Sequence, residues 1–273
     1  MWPAFMSKGT GGDIEPEVGK RRRAPDYPKD VAFTPFLHPG CGSEPPRPTL
    51  RDARIAVKIT ECRVIVFAKA PIPGKVKTRL IPAIGSRAAA ALHERLVYHS
   101  LSTAVDAGVG AVDLWCAPSP EHPFFIECVK KFPVDVHTQS EGDLGQRMAH
   151  AFDKTMKIST HALLMGTDSP SLTCSDLRKA KAVLEQDYNA VIIPVEDGGY
   201  VLLGLCDYSP ELFSGVSWGT QLVLEQTRVR LRHLGWRWYE LPKRWDVDRP
   251  EDLRRLMVDK VGEKFLDIFY KEI

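Results

Sequence analysis

The sequence predicts a three-layer α/β/α sandwich on a mostly parallel sheet with one late antiparallel strand. Three observations carry this. Short apolar runs such as Val64-Ile65-Val66-Phe67-Ala68 and Ala190-Val191-Ile192-Ile193-Pro194 lack an alternating polar face, the pattern of strands covered on both sides. Helix-period segments lie between such runs, which is the βα rhythm of a parallel sheet. Finally, only Glu196-Asp197-Gly198-Gly199 separates the fifth strand from the apolar run Tyr200–Leu205. That spacer is too short for a crossover helix, so the sixth strand runs antiparallel to its neighbour or is placed elsewhere in the sheet.

The elements follow in order. Strand one covers 64–68, and Leu92, Leu96, Val97, Leu101 and Val105 mark the buried stripe of a helix over 86–107. Strand two covers 111–117 and is closed by Pro118 and Pro120; a helix over 121–131 and a short strand over 134–138 come next. After the turn at 141–145, Leu144, Met148, Phe152 and Met156 recur at four-residue spacing, a helix face. Strand four is Ala162–Gly166, and Thr173 with Asp176 three residues on has the form of a helix N-cap. A helix over 219–233, an aromatic strand over 236–241 and two short helices end the chain.

Residues 1–60 stand apart. They hold nine of the 21 prolines and the basic run Lys20-Arg21-Arg22-Arg23, and no period is sustained. They read as a disordered N-terminal extension to a single domain over 61–273. The composition is 44% hydrophobic and 26% charged, and the net charge is +2. That balance gives no whole-protein affinity for nucleic acid. No apolar run is long enough to span a membrane, and the start lacks a signal-peptide core. Six cysteines without a C-x-x-C pair suit a reducing compartment, so a cytoplasmic location is expected.

The chemistry is concentrated where strand one ends. Lys69-Ala-Pro-Ile-Pro-Gly74-Lys75-Val-Lys77-Thr-Arg79 is a cationic loop between a buried strand and a helix. Ligands of open α/β sheets sit beyond the carboxyl ends of the strands, so Lys69, Gly74, Lys75, Lys77 and Arg79 are candidates for binding the phosphates of a nucleotide. The loop lacks the first glycine of a G-x-x-x-x-G-K-[ST] loop and is not a G-x-G-x-x-G loop. Asp168, in Gly166-Thr-Asp-Ser-Pro170, is placed to hold a divalent ion against a diphosphate or, alternatively, to form an Asx-turn. Asp248 followed by Glu251 reads as a capping box, a role compatible with metal binding. Asp197 with Gly198 and Gly199 forms either an acidic ligand loop or a tight turn. Trp218, Gly219 and Thr220 precede a helix whose start is able to receive an anion. His93 and His99 read as surface or partly packed residues, and the eight histidines show no zinc spacing.

Six segments now stand in order: Lys69–Leu80, Gly142–Met148, Gly166–Pro170, Glu196–Tyr200, Trp218–Thr220 and Asp246–Leu253. Together, over roughly 63–256, they resemble the uncharacterised glycosyltransferase-A-like transferases, mostly bacterial, some linked to arsenosugar biosynthesis. The resemblance implies a nucleotide-diphospho-sugar transferase fold related to molybdenum-cofactor and phospholactate nucleotidyltransferases. It also implies that Asp168 stands at the metal position and that Asp248 is similar to a late metal-binding acid. Arg249 stands where a Thr is commoner, and the N-terminal extension is not part of the pattern.

The expectation is therefore a glycosyltransferase using a nucleotide-activated sugar with Mg²⁺ or Mn²⁺ held by Asp168 and Asp248. Lys69, Lys75 and Arg79 would hold the diphosphate. Asp168 and Asp197 are the catalytic candidates, with Gly198, Gly199, Trp218, Gly219 and Thr220 toward the sugar or acceptor. The alternatives are a nucleotidyltransferase releasing pyrophosphate and a non-catalytic nucleotide-binding module.

Overall fold

The computed structural model describes residues 60–265, so the extension expected at 1–60 lies almost wholly outside the described residues. Seven strands form one sheet in the order β3-β2-β1-β4-β6-β5-β7. They are β1 (Thr60–Lys69), β2 (Ala111–Ala117), β3 (Val134–Thr138), β4 (Ser159–Met165), β5 (Ala190–Pro194), β6 (Tyr200–Leu205) and β7 (Trp238–Glu240). β6 is antiparallel to both neighbours, β4 and β5, and every other pairing is parallel.

Among the described residues six α-helices complete the layers: α1 (Ile81–Ala107), α2 (Pro123–Lys131), α3 (Leu144–Thr155), α4 (Cys174–Leu184), α5 (Val223–His233) and α6 (Pro250–Val258). Val64, Val66 and Ala68 of β1 point into a core with Val97 and Leu101 of α1, Phe125 of α2 and Leu177 of α4. Ile65 points the other way, onto Met148 and Phe152 of α3, with Leu224 and Leu231 of α5 in the same core. Strands buried on both faces explain why their sequences show no polar alternation. Each such side chain stabilises the fold by roughly 1.5–3 kcal/mol through burial alone.

A third core brings the C-terminal segment to the start of α1. Leu80, Leu92 and Leu96 pack with Trp245, Val247, Leu253 and Leu256. The chain from 241 onward is laced to the strand ends: Leu241 N–H donates to Ile192 O (2.9 Å), Arg244 N–H to Pro194 O (2.9 Å) and Val247 N–H to Asp168 O (2.8 Å). Ser169 Oγ and Ser171 Oγ both donate to Trp245 O, at 2.7 and 2.8 Å. The Arg244 guanidinium makes a two-point contact with Asp176 at 2.5 and 2.8 Å, and Asp176 also accepts from Thr173 N–H at 2.9 Å to complete the capping box of α4. Bidentate pairs of this kind add direction as well as charge.

Element boundaries differ from expectation where end chemistry decides them. β1 begins before its apolar run, because Thr60 and Cys62 pair with β4. α1 extends back to Ile81 through a break at Gly85 (φ 78°). α5 begins at Val223 rather than 219, because 217–222 form turns. α6 is capped differently too: Asp252 accepts from Arg249 N–H (2.7 Å) and Asp248 N–H (2.9 Å), so Asp248 and Glu251 do not form the capping box. The carboxylate of Asp248 is thereby left for other work. No helix among the described residues is long and apolar enough to cross a membrane.

Candidate active site

The loops after β1, β4 and β5 and the segment 245–249 meet at one edge of the sheet and enclose a two-lobed cleft. The first lobe, 680 Å³, is walled by Lys69, Lys75, Lys77, Arg79 and Arg147 and by Asp168, Asp246 and Asp248. The second, 590 Å³, adds Asp197, Gly199, Trp218, Gly219 and Thr220. Asp168, Asp246, Asp248 and Arg79 belong to both and form the seam. Gly74 and Gly198 lie outside either wall. Gly198 (φ 92°) is needed for the β5–β6 turn, since a Cβ there would sit 2.2 Å from Gln221 O.

Lys77 organises the seam. Its backbone is left-handed (φ 47°, ψ 40°), a conformation costing roughly 1–2 kcal/mol for a residue with a Cβ. That twist turns the side chain inward, where only 3% of it is exposed. The ammonium contacts Asp168 Oδ1 at 2.5 Å and donates to Val247 O at 2.6 Å. One cation thus joins the loop after β1, the loop after β4 and the C-terminal segment. Lys69 and Lys75 are exposed along the cleft, and Arg79, 60% exposed, pairs with the Asp248 carboxylate.

The acids feel opposite fields. Partial burial works against ionisation of Asp168, but the adjacent Lys77, with His93 and Lys69, holds its carboxyl below the usual range. At Asp246 the pull of the same Lys77 is outweighed. Burial, with Asp197, Asp168 and Asp248 nearby, pushes the Asp246 carboxyl up to about 7. It lies in the segment Asp246–Leu253, where nothing in Trp-Asp-Val-Asp tells which acid turns inward.

His93 is buried, 5% exposed, rather than near the surface. Its Nε2 lies 2.9 Å from Lys69 O and donates to that carbonyl, which places the bare Nδ1 away from any partner. Burial lowers its pKa and keeps the ring neutral at pH 7. His93 therefore anchors the start of the cationic loop from beneath.

At the second lobe, Gly199 N–H donates to Asp197 Oδ1 at 3.3 Å, a local turn that holds the carboxylate at the rim. Trp218 lies against Gly145 of α3; a Cβ at 145 would be 2.1 Å from the indole Nε1. Thr220 Oγ1 donates to Ser217 O (2.7 Å) and accepts from Leu222 N–H (3.2 Å), so it shapes the turn before α5. Glu196 pairs with Arg255 at 2.8 Å, and that guanidinium lies 4.7 Å from the Trp245 ring centroid, tying the β5–β6 turn to α6.

Residues 100–220 match a family described as "Uncharacterized protein conserved in bacteria (DUF2064)". Among solved structures, one from Desulfovibrio desulfuricans G20 is 29% identical with a TM-score of 0.68, covering 77% of this chain and 95% of that one. Its nucleotide-diphospho-sugar transferase assignment is itself provisional. A nucleotidyl transferase from Methanothermobacter is 12% identical with a TM-score of 0.50, covering 76% and 98% of the two chains. A 4-diphosphocytidyl-2C-methyl-D-erythritol synthase from Anaerococcus prevotii is 10% identical with a TM-score of 0.48, covering 72% and 96%. No curated protein matched the chain. The chain shares its fold with the nucleotide-diphospho-sugar transferase-type structure from Desulfovibrio desulfuricans, which supports a nucleotide-dependent transferase.

Proposed function

We propose that this protein is a metal-dependent glycosyltransferase that uses a nucleotide-activated sugar. The observation that carries the reading is the split cleft: a cationic lobe beside an acidic seam, at the sheet edge where ligands of such folds bind. Lys69, Lys75 and Arg79 bind the diphosphate. Each charge-assisted contact is worth about 1.5–3 kcal/mol.

The donor set suits Mg²⁺ or Mn²⁺. Asp168 and Asp248 would supply oxygen ligands, with the carboxyl of Asp246, raised chiefly by burial, in the same wall. Among the described residues no three metal-binding side chains converge into a ready-made cage. Mg²⁺ is commonly held by one or two carboxylates together with substrate phosphates, so two acids suffice. When bound, the ion offsets charge developing on the leaving diphosphate.

The rest is done by the chain's own groups. Lys77 holds Asp168 in place, and Asp197 at the far rim accepts the proton of the acceptor hydroxyl. The acceptor oxygen bonds to the anomeric carbon as the bond from that carbon to the phosphate oxygen breaks, and the electron pair leaves with the nucleoside diphosphate. Positioning and preorganised charge supply most of the rate. The free, buried thiols of Cys62, Cys116 and Cys128 fit a reducing compartment such as the cytoplasm.

Product analysis tests the reading. The full chain is incubated with nucleotide sugars, nucleoside triphosphates and candidate acceptors in Mn²⁺. Release of a nucleoside diphosphate with a glycosylated acceptor supports it. Pyrophosphate release would make the protein a nucleotidyltransferase, and neither product with nucleotide still bound would make it a binding module.

A further inference from the structure

The two lobes of the cleft differ in charge, and the difference points to the class of acceptor. Among the described residues, the wall confined to the first lobe carries Lys69, Lys75, Lys77 and Arg147 against one acid, Asp143. The wall confined to the second carries one acid, Asp197, one exposed arginine, Arg249, and no lysine. Its remaining surface is largely apolar, with Met148, Leu164, Val195, Val223 and the indole of Trp218.

A phosphate monoester brings a charge of about −1.5 to −2 and three oxygens that need donors. In the second lobe it would meet one arginine, Arg249, against Asp197 and the seam acids Asp168, Asp246 and Asp248. The seam arginine, Arg79, also lines the first lobe, where the proposed reading commits it to the diphosphate. The first lobe offers far better terms to any polyanion. Trp218, set against the bare backbone of Gly145, instead presents a flat apolar surface of the kind on which aromatic and sugar faces pack.

We infer that the second lobe takes an uncharged hydroxyl-bearing acceptor with an apolar or aromatic face, and rejects phosphorylated acceptors. This rests on the proposed transferase reading and narrows its acceptor class.

The test is a ligand-observed NMR screen of the full chain. The library consists of matched pairs, each an aryl alcohol or aryl glycoside and its phosphate monoester. UDP is added in half the samples to fill the first lobe. The inference expects hits with UDP present to come from the uncharged members, to vanish in Trp218→Ala, and to show at least a tenfold preference over their phosphate partners. Gln221→Lys, which adds a cation to the same wall, is expected to erase that preference by recruiting the phosphate members. Hits dominated by phosphate esters with UDP present, or no hits sensitive to Trp218→Ala, would overturn it. Failure of UDP to bind would instead count against the nucleotide reading, and the comparison within pairs would still report on the second lobe.

Discussion

Replacing Lys77 by Met removes the charge that joins three segments of the cleft while keeping a long apolar stem. Two contacts are lost, the 2.6 Å bond to Val247 O and the 2.5 Å pair with Asp168. A bond from a charged donor to a buried carbonyl is worth about 1.5–3 kcal/mol. The ion pair adds only about 0–1 kcal/mol, because 51% of the Asp168 side chain is open to solvent and it rehydrates once released. The expected loss is therefore about 1.5–4 kcal/mol, a fall in Tm of roughly 3–16 °C for a domain of this size. Lys77→Gly supplies a second check. It loses the same contacts and the buried stem, which costs about 2–5 kcal/mol, but relieves roughly 1 kcal/mol of left-handed strain at φ 47°, so it should melt below Lys77→Met by less than the stem alone would cost. The pH dependence follows from Asp168. A carboxyl held low in the fold contributes stability above its unfolded pKa and loses it as pH falls through the folded value. Lys77→Met should flatten the acid limb of the stability curve. Urea melts of the three proteins between pH 3 and 7 measure all of this. If Lys77→Met were as stable as the parent, or the acid limb were unchanged, the placement of this side chain would be wrong.

Three other outcomes are expected. Arg79→Ala should weaken nucleotide binding roughly ten- to a hundredfold by calorimetry with little change in Tm, since the side chain is 60% exposed and outside the core. Asp246→Asn should stabilise the protein at pH 7 and remove a decline in stability between pH 4 and 7. The folded carboxyl at about 7 binds its proton more tightly than the unfolded one, so stability falls as pH rises across that window and levels off above it. Gly145→Ala should shift the Trp218 indole and its fluorescence and cost about 1–3 kcal/mol, because the new methyl lies 2.1 Å from Nε1.

Strand number and direction were legible because burial on both faces leaves an unbroken apolar run, as in Val64–Ala68 and Val191–Ile193. The antiparallel β6 was legible from a spacer too short for a helix. The cationic loop and the acids were legible as residue types at strand ends, and the structure brings Lys69, Lys75, Lys77, Arg79, Asp168 and Asp248 around one lobe. What the sequence withheld was orientation. Nothing local tells that Lys77 turns inward, because its left-handed backbone belongs to a residue type that rarely adopts it. The raised Asp246 depends on burial and on Asp197 and Asp168 from distant segments, and the buried His93 depends on a carbonyl 24 residues away. The capping acid of α6 was misplaced by one residue, a shift that decides whether Asp248 serves the helix or the cleft.

The proposed function requires Asp168 to couple metal to nucleotide. Asp168→Asn keeps the shape and removes the charge. Calorimetric titration of UDP and a UDP-sugar into parent and variant, with and without Mn²⁺, measures that coupling directly. The account predicts that Mn²⁺ tightens binding to the parent at least tenfold, and that the variant, still folded by its melting curve, binds nucleotide with an affinity indifferent to the ion. A variant that retained the full Mn²⁺ effect would contradict it.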